Sequence, residues 1–480
     1  MKTKLFLFLT LITLLPGGCT MAPKYERPAA PVPAEWPKGA AYQAPESAAS
    51  TPAAAELKWR EFFTDEKLQK VIETALNNNR DLRLAALNVE KARALYGIQR
   101  AELLPAVNAT GSLSSQRVPA DLSTTGSAMT VDQYGVSLGI ISWEMDFFGR
   151  IRSLKDRALE EYISTDQARR SAQILLVSAV ANTYLTLAAD RENLKLVAST
   201  LETQEASYKL IRKRYDVGLA SELDLWRAQS QVDAARGDVA RFTQLAAQDE
   251  NALNLLIGSP MPPALLPSDL GSVSPPKEIS PGMSSELLLQ RPDVLAAEHQ
   301  LKAANANIGA ARSAFFPRIS LTTAIGTASA DLSGLFKSGQ GTWIFAPQIT
   351  LPIFDARMWS AYDVTKVERE ISVAQYEKAI QTAFREVADA LAVRCTVNQQ
   401  IAAQQSLVDA VAETYRLSNA RYTKGIDSYL SVLDAQRSLY GAQQGLIALH
   451  LFRFTNLVTL YKVLGGGYAP TSALPDAPIK

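Results

Sequence analysis

The sequence predicts a mainly α-helical protein that also contributes strands to a transmembrane β-barrel. Two windows, 150–217 and 357–424, contain neither glycine nor proline, so each can form one continuous helix of about 100 Å. Other short segments alternate apolar residues with small or polar ones, as strands do when their two faces meet different surroundings. Long helices together with such strands indicate an elongated membrane-associated protein.

The 480-residue chain also repeats itself. The stretch RYDVGLASELDLWRAQ at 214–229 recurs as RYTKGIDSYLSVLDAQ at 421–436, with Arg, Tyr, Gly, Ser, Leu, Ala and Gln at matching places. Upstream, the helical pattern of 81–105 is paralleled at 293–317. We therefore expect a first repeat over 61–270 and a second over 271–468, each built as helix, strand, strand, very long helix and helix, with a tail at 469–480.

Each repeat is expected to hold one β-hairpin, at about 106–146 and about 318–354. In the first, Tyr134, Val136, Leu138 and Ile140 alternate with glycine and serine. Four strands cannot close a barrel, and an open sheet edge cannot face lipid because its backbone groups would be unpaired. The chain is therefore predicted to form an oligomer that completes the barrel.

Each very long helix is predicted to turn back on a second helix, giving helical hairpins at about 150–257 and 357–464. Gly218 and Gly425 suit helix C-caps, while Ser221 and Ser428 suit the N-caps that follow. Apolar residues along the second long helix form a coiled-coil seam, namely Val364, Val367, Ile371, Ala374, Ile380, Phe384, Val387 and Leu391.

The first 60 residues are predicted to direct export and anchoring. Lys2, Lys4 and an apolar run form a signal peptide over 1–18, and LLPGGC places Cys19 as the acylated first residue of the mature chain. Pro16 occupies a position where leucine is usual, so a plain signal peptide with an incidental cysteine is the alternative. Residues 19–60 are expected to be an extended, proline-rich segment. No later stretch has 18 uninterrupted apolar residues, so no transmembrane helix is expected.

Composition excludes several functional classes. The 49 basic and 48 acidic residues nearly cancel, which leaves no basic surface for nucleic acid. The two histidines, His299 and His450, lack neighbours with metal-ligand spacing. No nucleophile–base pattern or phosphate loop occurs, so we expect no catalytic residues, no metal, no cofactor and no enzymatic activity.

Several motifs resemble one family, the TolC-like outer-membrane efflux channels, in the lipoprotein branch typified by OprM. They are CxxxPxYxRP from Cys19, DFFGR (146–150), RPDV (291–294), FFPRI (315–319), PIFD (352–355) and LYKVLGGG (460–467). The resemblance implies a homotrimer with a twelve-stranded barrel in the outer-membrane lipid and an α-helical tunnel across the periplasm. It also implies two protein partners, a periplasmic membrane-fusion adaptor and an inner-membrane RND-type transporter.

The resemblance further implies that the helix tips form a periplasmic gate. The positions that constrict the entrance match Leu430, Asp434 and Arg437. Those that match Arg421 and Tyr422 join a linking network, and Asp224 matches a position that lines the mouth. Ser431 departs from relatives that carry a second acidic ring here, which leaves the charge of the mouth open.

The sequence thus predicts a passive trimeric duct that exports drugs and other toxic compounds and is gated at its helix tips. A duct for type I secretion and a periplasmic coiled-coil scaffold without a pore are the alternatives.

Overall fold

A computed structural model describes residues 20–42, 57–279 and 284–466, so Cys19, the predicted signal peptide and the tail lie outside the described residues. The described part contains four β-strands and eight α-helices, apart from short 3₁₀ segments. The strands are β1 (Val107–Val118), β2 (Met129–Met145), β3 (Arg318–Ser329) and β4 (Gly341–Thr350). The helices are α1 (Trp59–Phe62), α2 (Glu66–Asn78), α3 (Arg80–Ala101), α4 (Arg150–Asp216), α5 (Glu222–Ile257), α6 (Pro292–Ser313), α7 (Ala356–Thr423) and α8 (Tyr429–Val463).

The chain divides into two compact units, and each takes segments from both repeats. Among the described residues, the first unit holds 20–29, 88–166 and 296–376. The second holds 30–42, 57–87, 167–279, 284–295 and 377–466. The repeats are therefore not separate compact bodies.

The first unit contains one antiparallel sheet in the order β1-β2-β3-β4. One face carries a cross-strand row of Ala109, Leu138, Ile325 and Trp343, and the side chains of the last three are more than half exposed within a single chain. The opposite face is lined mostly by small and polar residues such as Thr110 and Ser137, which are paired directly. The outer edges of β1 and β4 have no partner strand among the described residues.

The proline-rich segment after Cys19 lies along α6 in the first unit. Asn305 donates to the Pro23 carbonyl over 2.8 Å, and Arg312 donates to the Met21 carbonyl over 3.4 Å. A Cβ at Gly309 would lie only 2.7 Å from the Ala22 nitrogen, so glycine permits the close approach. One face of α6 thus holds this extended segment in place.

A buried carboxylate fastens the same segment. The Glu298 side chain is 2% exposed and accepts bonds from Arg27, over 2.8 and 3.1 Å, and from the Tyr25 hydroxyl, over 3.1 Å. Lys302 lies 3.2 Å away. Burial acts to raise the pKa of Glu298, but Lys302 and Arg27 outweigh burial and leave this pKa lowered.

The core of the second unit lies where aromatic side chains meet. Phe62 and Tyr461 are fully buried and stack with ring centroids 4.2 Å apart. Arg291, from the RPDV motif, is buried at the end of α8. There it donates to the Val463 carbonyl and pairs with Asp293 and Glu386. These contacts compensate the buried positive charge of Arg291.

Two expectations about the long helices can be compared with the structure. Helix α4 contains a window long and apolar enough to cross a membrane by composition, although 56% of that window is buried, as in a core helix. The coiled-coil seam of α7 is buried only in part. Ile380, Val387 and Leu391 are buried, but Val364, Val367 and Ile371 are each more than half exposed, since no described segment covers them.

Candidate functional site at the helix tips

The two long helices end in the same backbone motif. Gly218 and Gly425 have φ of 76° and 74°, the left-handed region that glycine enters without steric cost. Leu219 donates to the Arg214 carbonyl and Ile426 to the Arg421 carbonyl, over 2.7 and 3.0 Å. With the bonds from Gly218 to Tyr215 and from Gly425 to Tyr422, each tip closes a Schellman cap.

The helices that return from the tips begin differently. The Ser221 hydroxyl accepts from the Asp224 N–H over 3.1 Å and donates to the Asp224 carboxylate over 2.7 Å. Ser428 is the N-cap residue of α8, as predicted, but its side chain makes no capping hydrogen bond. Ser431 stands where the first tip has Asp224, and its N–H bonds instead to the Ser428 carbonyl.

The two tips share a small apolar core in the second unit. Tyr429, Val432 and Leu433 from the second tip are buried against Ile211, Leu225 and Ala228 from the first. Tyr208, Ala220, Tyr415 and Tyr422 are half-buried around them. This contact makes the two tips of one chain a single packed element.

Arg421 and Tyr422 lie on the rim of that core. The Arg421 guanidinium forms a two-pronged ion pair with Asp427, over 2.6 and 3.0 Å, which raises the pKa of Arg421 and lowers that of Asp427. The centroid of the Tyr422 ring lies 5.4 Å from that of the Tyr429 ring and 5.1 Å from the Arg214 guanidinium.

The residues predicted to constrict the entrance are exposed. Leu430 is 42% exposed, and the Asp434 carboxylate makes no hydrogen bond or ion pair with any described residue. Arg437 does not pair with Asp434; it donates to the Gln231 side chain on the first tip over 3.1 Å. Asp224 is held by Ser221 and lies 4.0 Å from Arg227.

Sequence reasoning missed several partners in this site. Arg214 could have been found, because it matches Arg421 in the repeat. Asp427 and Gln231 could not, since the matching positions hold Ala220 and Ser438 and the contacts depend on how the tips pack.

The rest of the described chain offers no arrangement that suggests chemistry. Among residues 20–42, 57–279 and 284–466, no group of three or more His, Cys, Asp and Glu side chains could hold a metal ion. A cavity of about 510 Å³ in the second unit is lined by Arg80, Arg83 and Arg169 with asparagine and leucine neighbours, and its lining contains no nucleophile with a base. The tips therefore remain the best-defined candidate site.

Comparison with known proteins agrees with this geometry. The model of the outer membrane efflux protein family matches residues 71–259 and 283–466. The chain is 51% identical to the probable efflux pump outer membrane protein TtgC of Pseudomonas putida, over 97% of this chain and 96% of that relative. It is 44% identical to the outer membrane protein OprJ of Pseudomonas aeruginosa, over 95% of each chain.

A solved structure shares the fold. The open state of the MtrE outer membrane channel of Neisseria gonorrhoeae matches with a TM-score of 0.83 and 38% identity, covering 94% of this chain and 98% of that one. A mostly helical chain with one four-stranded sheet is thus the subunit architecture of the trimeric TolC-like channels, in which the strands form a barrel and the helices a tunnel. The chain belongs to the outer membrane efflux protein family and is the outer-membrane component of an efflux pump.

Proposed function

We propose that the chain forms a passive homotrimeric duct whose periplasmic mouth is opened and closed by the helix tips. The main support for the proposal is that the tips contain two sets of residues, one buried and one exposed. Schellman caps and a buried apolar cluster hold each pair of tips together. Leu430, Asp434 and Arg437 stand outside that cluster and are exposed.

Exposed polar contacts suit a gate because they can be broken without unfolding the helices. Arg437 reaches Gln231 through one hydrogen bond, and Arg421 pairs with Asp427 on the surface. Water competes for such groups, so each contact contributes little by itself. Several of them around one opening can hold it shut and still yield to a docking partner.

The proposed partners are a periplasmic membrane-fusion adaptor and an inner-membrane RND-type transporter. The relatives named as efflux pump outer membrane proteins support this arrangement. In it, the transporter selects and drives the exported drug or toxic compound, and the duct carries it outward. We propose no catalytic activity for this chain, in agreement with a family of channels.

An efflux assay tests the proposal. The chain is expressed in a Gram-negative strain that lacks its own outer-membrane efflux channel but retains a cognate adaptor and transporter, and the loss of a preloaded fluorescent dye is followed. Wild type should restore energy-dependent dye efflux, and so should Asp409→Ala, a change on an exposed face of α7. A trimer that reaches the outer membrane and restores no efflux would contradict the proposal and favour a scaffold or a type I secretion duct.

We also propose that Cys19 is acylated and anchors the chain in the outer-membrane lipid. Cys19 itself lies outside the described residues, but the chain directly after it is bound through Met21 and Pro23 to α6. A short tether at that point would fix the lipid close to the folded unit. Wild type should take up an alkynyl palmitate label and Cys19→Ala should not; an unlabelled wild type would leave Pro16 as the reason that acylation fails.

A further inference from the structure

A small cavity of about 180 Å³ in the second unit lies between three segments that are distant in sequence. Residues from 394–398 of α7 and from 453–457 of α8 line two of its sides. Residues from 275–278, which precede α6, line the third. None of these residues belongs to the apolar core of the helix tips, so the cavity is separate from the proposed gate.

Hydrogen bonds outside the cavity hold its walls in place. The Thr64 hydroxyl donates to the Pro275 carbonyl over 2.7 Å, and the neighbouring Pro276 is buried. The Asn456 side chain is also buried and donates to the Ala390 carbonyl over 3.0 Å, which joins α8 to α7. The cavity is therefore a preformed part of the fold, which lowers the cost of binding a ligand there.

Two guanidinium groups at this cavity lack hydrogen-bond acceptors. The Arg394 side chain is only 15% exposed, yet neither Arg394 nor Arg453 donates a side-chain hydrogen bond to any residue that the structure describes. The carboxylate of Glu278 lies 3.9 Å from Arg394, beyond hydrogen-bond distance, and its side chain is 66% exposed. Leaving the N–H donors of a largely buried guanidinium unpaired costs free energy, so a ligand that accepts from them would bind favourably.

The charge and the walls of the cavity favour a monoanion that carries a small apolar group. Two arginines and one glutamate leave the lining with a formal excess of one positive charge. A carboxylate matches the paired N–H donors of a guanidinium. Apolar surface beside the two guanidinium groups comes from Pro275, Pro276, Val397 and Leu457. A methyl group next to the carboxylate suits these walls.

The Asn456 amide supplies a further polar contact. Its NH₂ group donates to the Ala390 carbonyl, whereas its oxygen has no hydrogen bond within the described chain. That oxygen can accept the backbone N–H of a residue whose carboxylate lies at the guanidinium groups. A terminal carboxylate, a small side chain and an amide N–H together are the features of the last residue of a peptide.

We infer that this cavity binds the C-terminal residue of a peptide that ends in a small apolar amino acid such as alanine. Arg394 and Arg453 bind the terminal carboxylate, which takes the place of Glu278 beside Arg394. Asn456 accepts the amide N–H of the same residue, and the apolar walls enclose its side chain. The inference goes beyond the proposed duct, because it gives the chain a binding site for a peptide away from the tips.

Peptide binding to the purified full-length trimer in detergent tests the inference. The probe is a fluorescein-labelled peptide that ends in alanyl-alanine with a free carboxylate, and fluorescence anisotropy follows its binding. The same peptide with a C-terminal amide is the ligand control. The free acid should bind saturably and about tenfold or more tightly than the amide, because the amide carries no charge for the two guanidinium groups.

Variants of the lining locate the binding. Arg394→Gln should weaken binding of the free acid by about tenfold or more, and Arg453→Gln should weaken it as well. Glu278→Gln should strengthen it several-fold, because this change removes a carboxylate that competes for Arg394. The matched control is Arg385→Gln on the same helix, whose side chain is 74% exposed and lies outside the lining. It should bind the peptide as wild type does.

Three results would overturn the inference: wild type that shows no saturable binding, equal affinity for acid and amide, or an Arg394→Gln trimer that binds as wild type does. Inorganic phosphate that displaces the probe as well as unlabelled peptide does would indicate a site for any anion and would also contradict it. If Arg394→Gln forms no trimer, Arg453→Gln and Glu278→Gln decide, since opposite changes in affinity support the site and unchanged affinity in both contradicts it. These variants leave the tips unaltered, so this assay and the efflux assay can fail independently.

Discussion

At the residue scale, the most consequential side chain outside the tips is Glu298. Its carboxylate is buried and is satisfied by Arg27, Tyr25 and Lys302, so removing one cation leaves a poorly compensated buried charge. Because the Arg27 side chain is 48% exposed, Arg27→Ala should lower the free energy of unfolding by about 1–3 kcal/mol, less than for a fully buried pair. Chemical denaturation of the detergent-solubilised trimer measures this loss.

The matched variant is Arg27→Ala combined with Glu298→Gln, in which the unpaired charge is absent. It should recover part of the loss. A double variant as unstable as the sum of the two single ones would show that Arg27 and Glu298 act independently.

A pair of carboxyl groups in the second unit makes the stability of the fold depend on pH. Burial and the neighbouring Asp190 raise the pKa of Asp249 to about 6, and burial raises the pKa of Asp190 as well. The folded chain then binds more protons than the unfolded chain between about pH 4 and 6, so these groups stabilise the fold at the acid end and lose that contribution as pH rises. Asp249→Asn should reduce the difference in unfolding free energy between about pH 4.5 and about pH 7 by about 1 kcal/mol, less than the full shift implies because both groups are partly open to water.

Thermal unfolding at about pH 4.5 and about pH 7 measures this change in stability. Asp409→Asn, on an exposed helix face, is the control that should leave the slope unchanged. If stability depends on pH equally in wild type and Asp249→Asn, the carboxyl pair is not the cause of that dependence.

At the scale of elements, the sequence anticipated the long helices well. Windows free of glycine and proline at 150–217 and 357–424 became α4 and α7, because nothing in them interrupts the backbone hydrogen bonds. The strands could be anticipated because small and polar residues alternate with apolar ones. Ser221 and Ser428 both occupy the predicted N-cap positions, although only the Ser221 hydroxyl accepts a capping hydrogen bond.

Contacts between distant segments could not be anticipated. Arg27 and Glu298 are 271 positions apart, and no local pattern marks them as partners. Likewise, Arg437 donates to Gln231 on the other tip, a partner that the local sequence does not indicate. Packing between elements decides which polar side chains form pairs. These pairs therefore cannot be predicted from the spacing of residues within one helix.

The tip cap yields a prediction at this scale. Gly425→Ala places a Cβ in the left-handed region, which costs about 1–2 kcal/mol and should loosen the end of α7 and the start of α8. Amide hydrogen exchange should rise at the second tip and remain unchanged elsewhere. Gly441→Ala, inside α8 with nothing within 4 Å of an added Cβ, is the control and should be neutral or slightly stabilising.

On the scale of the whole molecule, the sheet makes assembly and membrane insertion one event. The outer edges of β1 and β4 need neighbouring copies, since unpaired backbone groups cannot face lipid. Leu138 lies in the apolar row with Ile325 and Trp343, so Leu138→Arg should cost about 2–4 kcal/mol per chain near the bilayer midplane and reduce the yield of trimer. Thr110→Arg, one residue along the strand pair on the opposite face, should be tolerated.

Quantitative cross-linking of membrane fractions gives the trimer yield. Equal yields for both arginine variants would mean that the two faces of the sheet are not divided between lipid and lumen as the pattern requires. A folded, inserted monomer would contradict the coupling itself.

The central claim, that the tips gate the duct, is tested most directly by single-channel conductance in planar bilayers. Wild-type trimers and Asp409→Ala should conduct poorly. Leu430→Ala, and Asp434→Ala combined with Arg437→Ala, should conduct several-fold better while remaining trimeric, because they remove the exposed groups at the mouth and leave the apolar core of the tips intact. Wild-type conductance in all of these variants would place the constriction elsewhere and contradict the account.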